Sequence, residues 1–149
     1  MTLRPARITG PGLLLVVILA IAALLSMNGQ MPLGKQSSTV TRDFLIGDGS
    51  ALEPSFLVIG LYVLALVLNM VPSRLAIVGT LGLLAAGLIN TAGVLLEPVS
   101  FRVLALGFGP LPAAVLTLQV LTAAAVVVLA IWELAIRTLD RGNLPATAT

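Results

Sequence analysis

Residues 75–96 read LAIVGTLGLLAAGLINTAGVLL, an apolar run with no ionisable side chain anywhere in it. Crossing a hydrocarbon core about 30 Å thick takes about 20 such residues as α-helix, so this run has spanning length. Three further stretches resemble it, at 12–27, 55–71 and 111–134, and Glu133 at the edge of the last is the lone residue charged at neutral pH in any of them. A transmembrane barrel would need alternation of apolar and polar residues, which runs such as 13–25 and 123–131 lack. The expectation is an all-α membrane protein forming one integral membrane domain over 1–149. Its four transmembrane helices, at about 11–28, 55–71, 74–96 and 111–141, would form an up-down bundle. An ordered or partly extended outer loop at 28–54 and an interfacial segment at 98–110 complete it.

Composition points the same way. The chain has 149 residues, 58% hydrophobic and only 9% charged, with a mean hydropathy of +1.13. A soluble domain is about a quarter charged, so this chain needs lipid as its solvent. It has no cysteine and no histidine. Thiol nucleophiles, disulfide exchange, thiolate metal sites and imidazole ligation are thereby removed. The eight basic residues are dispersed singly, which fits orientation signals better than a nucleic-acid surface.

Along the chain, Arg4 and Arg7 precede Gly10-Pro11-Gly12 and the first apolar block. A basic flank before an apolar core also describes a signal peptide, but Ser26-Met27-Asn28-Gly29 offers no good small-x-small cleavage site, so a retained helix starting near Pro11 is expected. In the polar segment that follows, Thr39-Val40-Thr41 and Phe44-Leu45-Ile46 read as short extended pieces. Two uses fit so long a loop: contact with a partner, or a lid over the chain's own helices. Pro72-Ser73-Arg74 turns the second span directly into the third, which makes them antiparallel neighbours. Glu97-Pro98 ends the third span, and a helix beginning at Leu111-Pro112 continues past Glu133 to a stop at Gly142.

Orientation follows from the basic residues. Arg4, Arg7, Arg74, Arg137 and Arg141 fall on one side; Lys35, Arg42 and Arg102 share the other with Asp43, Asp48, Glu53 and Glu97. Five against three places both termini in the cytoplasm, in a multi-pass protein of the plasma or inner membrane.

Polar groups inside the spans are few: Asn69, Thr80, Asn90, Thr91, Thr117, Gln119 and Thr122, with Ser26 at an edge. Each would be costly facing lipid. Asn69, Asn90, Thr91 and Gln119 are the candidate intramembrane polar contacts, read first as interhelical hydrogen bonds and second as contacts to a solute. Asn90 and Thr91, between Gly87 and Gly93, could also unwind the outer end of the third span and offer carbonyls to an ion. Gly82, Ala86 and Asn90 recur every four residues with Gly79 and Gly87 nearby, a stripe that lets another backbone approach. Gly79, Gly82, Ala86 and Gly87 are therefore candidate helix-packing positions, with the third span at the centre of the bundle.

No catalytic, cofactor or metal site is expected. Asp43, Asp48 and Glu53 recur at five-residue intervals, which does not match a calcium loop. Glu97 with Arg102, and Glu133 with Arg137 one turn on, read as structural pairs. The functional expectation is a small non-catalytic integral-membrane accessory subunit that packs on a larger respiratory, photosynthetic or transport complex, with other membrane subunits and lipids as partners. The alternative is a small oligomeric channel or carrier for an ion or neutral solute, lined by Asn69, Asn90, Thr91 and Gln119. A lipid-directed enzyme, using Asp43, Asp48, Glu53 or Glu97, ranks third.

Overall fold

The computed structural model describes residues 7–27, 56–71, 74–96, 107 and 109–142, with side chains through Leu25 in the first segment and Arg137 in the last. Among these residues the chain is all helical: α1 is Thr9–Met27, α2 Phe56–Met70, α3 Leu75–Leu96 and α4 Pro110–Gly142. The outer loop at 28–54 and nearly all of the segment at 98–110 lie outside the described residues.

Local chemistry sets the ends. Pro11 falls in the first turn of α1, where a missing N–H costs nothing, so the helix opens at Thr9 and runs through Gly10-Pro11-Gly12, and Gly12 N–H donates to Ile8 O at 2.9 Å. Helix α2 stops at Met70 because the residue before Pro72 is biased away from the helical region. Gly109, at φ 111°, turns the chain through a conformation that side chains disfavour, and Pro110 opens α4 with its ring already at helical φ, one residue earlier than the sequence predicts.

Lengths separate the helices into two pairs. Helix α3 and residues 110–137 of α4 are long and apolar enough to cross a membrane, whereas α1 and α2 are shorter apolar helices. At 1.5 Å per residue α2 extends about 22 Å. Two helices of spanning length, not four, are thus shown.

Packing follows a ring. Each helix lies against its neighbour in sequence, and α1 closes the ring against α4. Neighbours are antiparallel, because the paired positions run in opposite senses: Gly79 of α3 abuts residues 65–69 of α2 while Asn90 meets Tyr62. Gly87 of α3 abuts Ala123 and Val127 of α4, while Asn90 meets Gln119. The core at the centre of the ring is built from Leu15, Leu19, Tyr62, Leu66, Leu83 and Val126, with alanines 23, 65, 86, 123 and 130 between them. The outward faces are apolar too: Leu61, Val78, Ile89, Leu121 and Val128 are all more than half exposed. Helices that are apolar all round are either the buried core of a larger body or lipid-facing.

Candidate functional site

The polar side chains named from the sequence divide into two layers inside this bundle. In the first, Asn90 of α3 is the hub. Its Nδ2 donates to the Tyr62 hydroxyl of α2 at 2.7 Å and lies 3.4 Å from Ala86 O, one turn back on its own helix. Its Oδ1 accepts from Gln119 Nε2 of α4 at 2.8 Å. The Tyr62 hydroxyl in turn donates to Ala86 O at 3.5 Å. Gln119 is fully buried and Asn90 nearly so. One amide therefore ties three helices together.

The second layer lies toward the α2–α3 turn. Asn69 Nδ2 donates to Thr80 Oγ1 at 2.6 Å, and the Thr80 hydroxyl donates in turn to Ala76 O at 2.8 Å. Asn69 Oδ1 is buried and has no hydrogen-bond partner among the described residues. Interhelical hydrogen bonds inside a membrane average about 0.6 kcal/mol and reach about 1.7 kcal/mol. Leaving a buried amide unpaired costs more, about 1–3 kcal/mol, which is the stronger reason for these groups to meet.

The four candidate polar residues do not form one lining. Asn90 and Gln119 are joined, Asn69 belongs to the other layer, and the Thr91 hydroxyl is buried without a partner among the described residues. Consecutive helical residues point about 100° apart, so Thr91 cannot share the direction of Asn90. Helix α3 runs unbroken to Leu96. The backbone around Asn90 and Thr91, which the sequence offers as a place to unwind, is regular helix in this structure. Thr117 is exposed and turns its hydroxyl back onto Ala113 O at 2.7 Å, which satisfies it without another helix.

The small residues serve two different contacts. A Cβ on Gly79 would strike the backbone N of Asn69 and the carbonyl O of Ala65, so here α2 and α3 touch backbone to backbone. Gly82 faces the Ala65 methyl, with Ala86 buried further along the same helix. Gly87 turns the other way, toward Ala123 O and the Val127 side chain of α4. Helix α3 is thus seated between α2 and α4.

Tyr62 is the member of the hub that sequence reasoning missed, because a tyrosine within an apolar helix reads as core. A signal existed: it is the chain's one tyrosine and precedes Asn69 by seven residues, which puts both on one face of α2. Of the charged pairs, Glu133 and Arg137 are joined, Arg137 Nε to Glu133 Oε1 at 2.8 Å. Glu97 with Arg102, and Asp43, Asp48 and Glu53, lie outside the described residues. No group of three or more His, Cys, Asp or Glu is gathered among the described residues. What the hub offers chemically is neutral: amide and hydroxyl donors and acceptors, engaged with one another. Comparison with protein-family models, with curated proteins and with solved structures returned no match.

Proposed function

We propose that this chain is a small integral-membrane subunit whose four helices all cross the bilayer, with both termini on the cytoplasmic side, and that it packs on and stabilises a larger membrane assembly without catalysing a reaction. The observation that carries the reading is inverted polarity: Asn69, Thr80, Asn90, Gln119 and Thr122 are buried, while the outward faces of the same helices carry leucine, valine and isoleucine. A water-soluble bundle would present the opposite arrangement, because exposed apolar faces of this extent aggregate in water. Lipid tails or the helices of other subunits suit such an exterior. Helix α2, the shortest, is accommodated by local thinning of the bilayer, at fractions of a kcal/mol per Å of mismatch.

The accessory role is supported by the use made of the polar groups. Asn90 spends its amide on Tyr62, Ala86 and Gln119, which interlocks this chain's own helices and favours a scaffold over a solute path. Purification from native membranes in mild detergent tests it. Co-purifying membrane subunits are expected, and an isolated 15.3 kDa monomer would overturn it. Liposome flux that collapses in both Asn90→Leu and Gln119→Leu variants, with the fold intact, would point to the channel instead.

A further inference from the structure

The end of the bundle where α1 and α3 begin and α4 runs on has a layout that the subunit reading does not use. Helix α4 is flanked by α1 on one side and α3 on the other. Both flanking helices run antiparallel to α4, so both of their N-terminal ends stand beside its C-terminal half; Ile8, at the head of α1, shares a core cluster with Ala130 of α4. Just before those helices start come Arg7 and Arg74, both exposed. On α4, two residues past Ala130, Trp132 is 56% exposed, one helical turn beyond the exposed Val128. It is the chain's one tryptophan.

Beyond it, Glu133 neutralises Arg137 through their ion pair, whereas Arg7 and Arg74 make no ion pair with a carboxylate among the described residues. Two exposed arginines therefore precede the helices on either side of α4, at the end of the bundle where its apolar part, with an exposed indole, gives way to charge. Tryptophan favours the boundary between headgroups and hydrocarbon, and cations set there attract an anionic leaflet.

We propose that this end of the bundle, with Arg7, Arg74 and Trp132, binds the headgroups of anionic phospholipids. The inference rests on the membrane reading above. It commits to lipid in the leaflet, because the indole supplies a contact to the acyl boundary that a free phosphate would not use.

Trp132 provides its own probe. The full-length protein is reconstituted in phosphatidylcholine vesicles holding rising, matched mole fractions of brominated phosphatidylglycerol or brominated phosphatidylcholine, and Trp132 fluorescence is read. Brominated phosphatidylglycerol is expected to quench at lower mole fraction, by on the order of fivefold for each arginine. Arg7→Gln with Arg74→Gln should abolish the difference, and Lys at both positions should keep it. At 1 M salt, where the Debye length is about 3 Å, the preference should shrink. Equal quenching by the two lipids in the unaltered protein, or a preference that survives the double Gln variant, would overturn the proposal while leaving the membrane reading intact. Absence of quenching by either lipid would remove both.

Discussion

Gln119 and Asn90 lie 29 residues apart in sequence, and the Gln119 Nε2 hydrogen bonds to the Asn90 Oδ1 at 2.8 Å in the interior of the bundle. Because Asn90 also donates to Tyr62, losing the asparagine removes two interhelical hydrogen bonds, whereas losing the glutamine side chain removes one of them. Asn90→Leu should therefore destabilise by about 1–3 kcal/mol, and Gln119→Leu by less. Unfolding in mixed micelles would measure both, and a double-mutant cycle should return a coupling of about 0.6–1.7 kcal/mol. An Asn90→Leu variant as stable as the parent would remove the hub from the account of the fold.

The glycines of α2 and α3 should rank by what a methyl would meet. Gly79→Ala drives a Cβ into the backbone of α2 and is expected to cost several kcal/mol or prevent folding. At Gly82 the obstacle is the single methyl of Ala65, so the loss should be smaller. Gly60 has nothing within 4 Å, and Gly60→Ala should stabilise α2 by up to about 1 kcal/mol through helix propensity. The same unfolding assay reads all three, and a Gly79→Ala protein no less stable than Gly60→Ala would contradict the backbone contact.

Single introduced cysteines can report topology, because the chain has none of its own. In intact cells a membrane-impermeant maleimide should label Lys35→Cys and leave Arg74→Cys unlabelled until the membrane is opened. Labelling of both from one side would undo the four-span arrangement.

The Glu133–Arg137 pair offers a contrast. It is a partly exposed i,i+4 pair near one helix end, so Glu133→Gln should change stability by only about 0.3–0.5 kcal/mol, and by less in high salt. A loss above about 2 kcal/mol would mean that the pair is shielded by something more than this helix.

Sequence alone determined roughly where helices form and where they stop, because those are local matters: Pro72 truncates α2, and the apolar runs leave no alternating pattern for strands, although the left-handed Gly109 that lets α4 open at Pro110 came from the structure. It also picked out most of the polar atoms that would need partners, the Tyr62 hydroxyl excepted. Only the tertiary structure decided how those atoms are matched. A helix that is apolar on every side carries little pattern to say which face turns inward, so nothing in the order of residues tells that Asn90 takes Tyr62 and Gln119 while Asn69 takes Thr80. For the same reason Gly79 and Gly87, eight residues apart in one run, end up against different helices. Those pairings are set by the rotation of each helix about its axis, where close backbone approach at the glycines and the cost of an unmatched buried amide are met together.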